Sequence, residues 1–371
     1  MTPLEELALL LRPAGRGIHT VSTGREAQQR LSAALYGAAQ PEDVPAAWRR
    51  QLDRLAEAKV VVLAIPSDCG AGLVRGAAFG PQALRMGLLE NAPDLLRAGW
   101  PDVLDIGDVA VIPHLLHDDM VSEGQKAACR AALYPALSES AAAALPVAPL
   151  SVAERILDRV FDVNPGAKLL VLGGDHSVAW PVVSALKRRR APQLGIVQPD
   201  AHTDLLPERL GVRFCFATWA YHANDLLGRG GRLVQVGVRA SGRSQEHWET
   251  SLGVRQFWAH EVAARTGPVV IDDIVAHLRA RGVRQLYLSN DIDATDLAFA
   301  PSTGAAEPHG LTPAFVLALT ARLGREFDLV AADLMEVAPP VGSSFDSEKT
   351  VAVGVSYLTA ALAALLGRTP P

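Results

Sequence analysis

Short apolar runs recur along the chain, separated by stretches in which apolar residues fall at helical spacing. Val60–Ile65, Val103–Val109, Lys168–Leu172, Leu194–Val197, Arg232–Arg239, Gln285–Leu288 and Phe327–Asp333 each read as a strand. Continuous apolar runs of this length, bounded by turn residues, suit strands buried on both faces. Val152–Val163 reads as a helix leading into one of them, and Thr350–Leu366 as an alanine- and leucine-rich amphipathic helix closing the chain. The alternation predicts an α/β fold: a three-layer, doubly wound, mostly parallel sheet with helices on both faces. Ahead of it, Leu4–Leu11, Arg25–Tyr36 and Ala46–Ala58 read as helices broken by Pro13, Gly15, Gly37 and Pro41. Residues 1–58 are therefore expected to form an N-terminal helical arm for packing or oligomerisation, and residues 59–371 a single domain. Residues 113–150 read as a connection.

Polar residues gather where three of these strands end. Gly173-Gly174-Asp175-His176-Ser177 follows one, Gln198-Pro199-Asp200-Ala201-His202-Thr203-Asp204 the next, and Ser289-Asn290-Asp291-Ile292-Asp293 a third. Open α/β sheets bind ligands beyond such carboxyl ends. If the second strand runs on through its triplet, two-residue alternation sends Asp200, His202 and Asp204 to one side, and Asp291 and Asp293 share a face likewise. His176, Asp200, His202, Asp204, Asp291 and Asp293 then supply two imidazoles and four carboxylates. That set is enough for two divalent cations and balances their charge. An oxygen-rich set with one imidazole per ion suits manganese better than zinc, with nickel and cobalt open. Pro113–Asp119 carries His114 and His117 three apart, but no strand positions them, and a structural or surface role is expected.

Gly-Gly-Asp-His-Ser, Asp-Ala-His-Thr-Asp and Ser-Asn-Asp-Ile-Asp, in this order, resemble the ureohydrolase (arginase/agmatinase) family from about Val60 to the C-terminus. The resemblance implies an arginase-like fold and a hydrolase holding two Mn2+ per chain on those six ligands. The substrate it implies is a small guanidino or formimino compound. By the same resemblance Asp204 is also catalytic, accepting the nucleophile's proton and passing it to the leaving amine. Asp333-Leu334-Met335-Glu336-Val337-Ala338-Pro339 matches the family's Asp-x-x-Glu-Val-x-Pro, which makes Glu336 the residue that grips the guanidinium. Asp175 and Ser177 are read as holding His176 in its tautomer and orientation. The loop from Ala294 to Gly310 resembles the stretch that bends round the pocket, with Thr303 among its substrate contacts; Leu297 stands for a proline and His309 for a glycine. Val60–Pro81, with the helix carrying Arg85, resembles the family's opening segment beside the cleft.

One departure is large. At Phe214-Cys215-Phe216-Ala217-Thr218-Trp219 the family typically shows His-Gly-Thr, whose histidine shuttles protons. Phe216 and Ala217 cannot do so. His222, six residues on, is the candidate replacement. Phe216 is the candidate apolar wall against the substrate's tail, sharing a face with Phe214 if the segment is extended. The expected activity is agmatinase-like, releasing urea from a simple ω-guanidino amine or acid. A formiminoglutamase-like hydrolase, or a catalytically weakened metal-binding protein on the same fold, stands as the alternative.

Composition narrows the partners. With 35 basic and 40 acidic residues the formal charge is −5, and no basic stripe with interleaved aromatics favours nucleic acid. No Gly-x-Gly-x-x-Gly spacing marks a dinucleotide site. Cys69, Cys129 and Cys215 are too few and too scattered for a disulfide framework or zinc ribbon and suit a reducing compartment. No signal-like start and no uninterrupted apolar run of membrane-spanning length is present. A cytoplasmic homo-oligomer with no membrane partner is expected.

Overall fold

The apolar runs assemble side by side into one sheet because each is apolar on both faces and needs a helix layer above and below. The computed structural model describes residues 1–18, 24–72, 74–91 and 102–368. Its nine strands are β1 (Leu11–Arg12), β2 (Val60–Ile65), β3 (Val103–Val109), β4 (Lys168–Gly173), β5 (Leu194–Pro199), β6 (Leu233–Val236), β7 (Arg255–Phe257), β8 (Gln285–Asp291) and β9 (Asp328–Met335). They lie in the order β1-β3-β2-β4-β9-β8-β5-β6-β7. Every pairing is parallel except β1 with β3. β4 and β5 follow one another in the chain, yet β9 and β8 lie between them. The order therefore reverses at the sheet centre, where a crevice opens beyond the strand ends.

Helices Pro149–Val163, Ala179–Arg189 and Trp219–Leu227 pack in series on this sheet, and Gly80–Asn91, Pro313–Glu326 and Ser344–Leu365 form a second packed group. The last is long and apolar enough to cross a membrane by composition, but it buries Val355, Tyr357, Leu358 and most residues to Leu365 against Pro313–Glu326 and β9. The connection at 113–150 carries a helix of its own, Glu123–Leu133, capped by Ser122 Oγ accepting from the Gln125 N–H. Its only strongly buried residue is Cys129, so it lacks the apolar stripe by which a helix is read from sequence.

The N-terminal segment is built into the same core. Leu7, Leu10 and Leu11 are fully buried, helix Pro3–Leu10 lies on Pro149–Val163, and β1 extends the sheet edge. Trp48 Nε1 donates to the Ile106 carbonyl at 2.9 Å. Gly107 takes φ 100° there, and a Cβ would stand 2.1 Å from the Arg12 carbonyl oxygen, so β1 can pair only against glycine. Beside it, fully buried Arg85 donates to both Asp105 oxygens at 2.8 Å and to Asp108, while Asp108 accepts the Gly17 N–H at 2.9 Å. This paired charge cluster ties helix Gly80–Asn91, β3 and the N-terminal segment together.

Candidate metal centre

Each of the three strands leading to the candidate ligands ends in a tight turn rather than continuing. β4 runs into Gly173 and Gly174, where a Cβ would meet Met335 Sδ and the Ser67 carbonyl oxygen at 1.8 Å each, so only glycine lets β9 and the β2 loop come this close. His176 then opens a 3-10 turn capped by Asp175, whose carboxylate accepts the Ser177 N–H at 2.8 Å and the Gly70 N–H at 2.9 Å. β5 stops at Pro199 and does not carry the triplet; Asp200, His202 and Asp204 converge through a turn. In it the Asp200 carboxylate accepts the His202 N–H at 2.6 Å, and Asp204 sits in the left-handed region at φ 53°. β8 ends on Asp291, whose side chain caps the turn holding Asp293 at 2.8 Å, so these two meet by curling, not by sharing a strand face.

Two donor clusters result, and Asp200 belongs to both. His176, Asp200 and Asp204 form one; Asp200, His202 and Asp293 form the other. His176 Nδ1 stands 3.2 Å from Asp200, 3.0 Å from Asp291 and 3.5 Å from Asp204, all buried. His202 Nδ1 stands 3.1 Å from Asp293 and 3.6 Å from Asp200. The His176 Nδ1 atom is buried and has no hydrogen-bond partner, although it is aimed among three carboxylates. A buried, unsatisfied imidazole nitrogen facing carboxylate oxygens is a ligand set in want of a cation. Burial opposes protonation of both histidines, but the carboxylates outweigh it. Asp200 and Asp291 raise His176 well above its ordinary value, and Asp200 with Asp293 pushes His202 up to about 12. Burial, reinforced by neighbouring carboxylates, likewise raises Asp204 and Asp291.

Orientation comes from residues the sequence motifs did not single out. His176 Nε2 lies 3.0 Å from Ser289 Oγ, and that hydroxyl donates to Asp333 at 3.0 Å. A charged Asp333 can only accept, so the hydroxyl proton is committed to it; in the neutral ring that ligation requires, Ser289 then receives the Nε2 proton and Nδ1 keeps its lone pair. This corrects the expectation for Asp175 and Ser177: Asp175 braces backbone N–H groups, the Ser177 hydroxyl is buried without a partner, and Ser289 fixes the ring. Ser289 and Asp291, two apart on one strand, were the available signal. Fully buried Trp219 donates its indole N–H to Asp204 at 2.9 Å and lies against the His176 ring, with centroids 4.6 Å apart.

Asp200 is held by a ladder crossing three strands. Trp258 Nε1 donates to Gln256 Oε1 at 2.8 Å, Gln256 Nε2 to Gln235 Oε1 at 2.7 Å, Gln235 Nε2 to Gln198 Oε1 at 2.9 Å, and Gln198 Nε2 to Asp200 at 2.7 Å. All three glutamines are fully buried on β7, β6 and β5, in register.

The ligands face a cavity of about 180 Å³ lined also by Phe216, Arg209, Gly304 and Glu336. Glu336 is buried at φ 62° and accepts the His176 N–H at 3.0 Å, while its own N–H binds the Gly174 carbonyl. Burial and the charges of Asp291 and Asp175 raise its pKa well above normal. Thr303 is buried with its hydroxyl unpartnered, next to the lining residue Gly304. Arg239, at the end of β6, chelates the carbonyls of Asp293, Glu307 and Pro308 at 2.7–2.9 Å and so holds the pocket loop to the ligand turn. His309 takes φ 62°, which accounts for a glycine being the expected residue there.

Phe214 and Phe216 do not share a face, because residues 213–218 turn, with the Thr218 N–H on the Cys215 carbonyl. Phe214 stacks on Trp180 at 4.8 Å, and Phe216 walls the cavity. His222 lies elsewhere. Its Nε2 is 3.0 Å from the Arg213 carbonyl oxygen, among Trp180, Phe214 and Tyr221, and it does not line the cavity. His117 Nδ1 accepts the Asp119 N–H at 3.2 Å, a local structural bond.

Residues 58–363 match the model of the arginase family. The chain is 32% identical over 297 residues to N(1)-aminopropylagmatine ureohydrolase of Thermus thermophilus, covering 80% of this chain and 87% of that protein. It is 30% identical over 288 residues to guanidinobutyrase of Pseudomonas aeruginosa, covering 74% and 77%. Among solved structures, proclavaminate amidino hydrolase from Streptomyces clavuligerus superposes with a TM-score of 0.63 at 27% identity, covering 83% of this chain and 92% of that one.

Proposed function

The chain belongs to the arginase family, hydrolases of amidino compounds, and from that premise we propose that it cleaves a C–N bond of a guanidino compound and releases urea. The observation that carries this reading is the pair of donor clusters joined at Asp200, with His176 Nδ1 unsatisfied between carboxylates and Glu336 on the same wall. His176, Asp200, His202, Asp204, Asp291 and Asp293 would hold two divalent ions, manganese by the oxygen-rich donor set. Bound there, the ions supply an acidified water at neutral pH against a guanidinium carbon that resonance makes a poor electrophile.

The chain's own groups do the rest. Glu336 receives guanidinium N–H groups, a charge-assisted contact that orients the carbon. Asp204, held by Trp219, takes the nucleophile's proton and returns it to the leaving nitrogen, which must depart as a neutral amine. Phe216 supplies an apolar wall and no proton. Urea release by the manganese-loaded protein from a panel of guanidino compounds tests the reading. Formamide release from a formimino substrate instead would assign the alternative chemistry, and no turnover with both ions bound would mark a metal-binding protein.

A further inference from the structure

The metal cavity shares Gly72, Arg209 and Phe216 with an adjoining vestibule of about 490 Å³. That volume falls in the ~300–1,000 Å³ range of sites for whole small molecules, whereas the inner cavity is below it. The walls are mainly Leu115, Leu116, Met120, Leu210, Val212 and Phe216. Among the described residues, the lining side chains that could hydrogen-bond are Cys69, His114, Cys215 and Arg209, and none is a carboxylate. The two compartments are opposite in character: four carboxylates line the inner one, and a lone guanidinium marks the neck of the outer one.

Arg209 is fixed for that position. Its Cζ sits 4.8 Å above the Phe216 ring, a cation–π contact, and its backbone exchanges two 2.9 Å hydrogen bonds with Val212 across a tight turn. The turn places Leu210 at φ 51° and leaves it 98% exposed at the vestibule edge. A branched apolar residue in the left-handed region, fully in water, is disfavoured twice over, and such strain collects at ligand clamps. Among the described residues, no carboxylate comes within ion-pair distance of Arg209.

We propose that the vestibule is a second substrate subsite, which takes an apolar body ending in an anion, with Arg209 as the residue that reads the anionic end. Resting on the guanidino-hydrolase reading, this makes the substrate class a guanidino acid with a bulky apolar spacer. The cationic head enters the carboxylate-lined cavity, the spacer passes Phe216, and the carboxylate meets Arg209. A guanidino amine would set its second cation in an apolar space beside Arg209, with no carboxylate to receive it.

The test separates the subsite from the chemistry. Binding of 5-phenylpentanoate and 5-phenylpentylamine to the manganese-loaded protein is measured by calorimetry. Hydrolysis of 4-(guanidinomethyl)phenylacetate is compared with that of agmatine. The wild type should bind the acid at least about fivefold more tightly than the amine, as befits a partly screened charge pair, and should favour the guanidino acid in kcat/KM. Arg209→Glu should reverse both preferences with metal content and Tm unchanged, since the side chain is exposed and outside the core. An amine that binds as tightly as the acid, or an unchanged order in Arg209→Glu, would overturn the subsite. Should no guanidino compound be hydrolysed while phenylpentanoate still binds in an Arg209-dependent way, the subsite stands and the hydrolase reading falls.

Discussion

The Glu336 carboxylate accepts the backbone N–H of His176 at 3.0 Å. The group placed to grip the substrate and the turn carrying a metal ligand are thus one hydrogen-bonded unit, completed by the Glu336 N–H on the Gly174 carbonyl. Movement of either displaces the other.

Glu336→Gln keeps the shape of that unit and removes its charge. A hydrogen bond to a charged group contributes about 1.5–3 kcal/mol, so kcat/KM for a guanidinium substrate should fall at least roughly tenfold. Metal content should not change. Steady-state kinetics with parallel metal analysis checks this, and wild-type kinetics in the variant would remove Glu336 from the substrate.

Ser289→Ala should act on the metal rather than on the substrate. It frees the His176 ring from the Ser289–Asp333 pair, while Asp333 keeps the Tyr287 hydroxyl and the Asn290 N–H. Loss of such support typically lowers metal affinity or activity ~10–100-fold. Trp219→Phe, which removes the indole N–H from Asp204, should show a similar loss while preserving the ring packed on His176. Titration of the metal-free variants with manganese measures both.

His222→Ala should leave turnover nearly unchanged, because the ring bonds a backbone carbonyl outside the cavity. Burial also lowers its pKa, so it is neutral at pH 7. Phe216→Ala should instead raise KM or alter substrate choice, since Phe216 forms the wall. The pH–rate profile should lack the limb that a shuttle histidine near neutrality would give. A ~10²-fold drop in kcat for His222→Ala with metals retained would reverse this assignment.

Metal uptake should release protons. Without a cation, the carboxylates hold His176 and His202 well above their ordinary pKa, so both rings are protonated at pH 7. Ligation needs the neutral ring, so the protons must leave and apparent affinity must fall as pH is lowered. Calorimetry in buffers of different ionisation heat reads the number released; a buffer-independent heat would contradict the coupling.

The ligands were legible in sequence because each sits just past an apolar run, and the strand cores from Val60–Ile65 to Asp328–Met335 followed from the same runs. How they converge was not. Two-residue alternation fails after Pro199, which has no N–H to continue the ladder, and Asp204 is turned inward by a left-handed backbone. β1 and β7, at two and three residues, are too short to carry a pattern. Ser289, Asp333, Trp219 and the three glutamines act across strands, and their roles exist only once strand order is known.

The glutamine ladder has a sense of direction, set by its two ends. Trp258 can only donate and the Asp200 carboxylate can only accept, so each amide between them has one permitted orientation. Turning any one of them over would set N–H against N–H and oxygen against oxygen in a fully buried row, leaving partners unsatisfied on both sides. The lone pair that Asp200 offers a cation is therefore decided at the far border of the sheet, by an indole that never meets the cation. A glutamine replaced singly breaks the row, whereas an all-apolar replacement from Trp258 inward would keep the sheet and leave one Asp200 oxygen without its amide donor, the other still on the His202 N–H. The sheet is here more than a scaffold: its rim and its centre must change together or not at all.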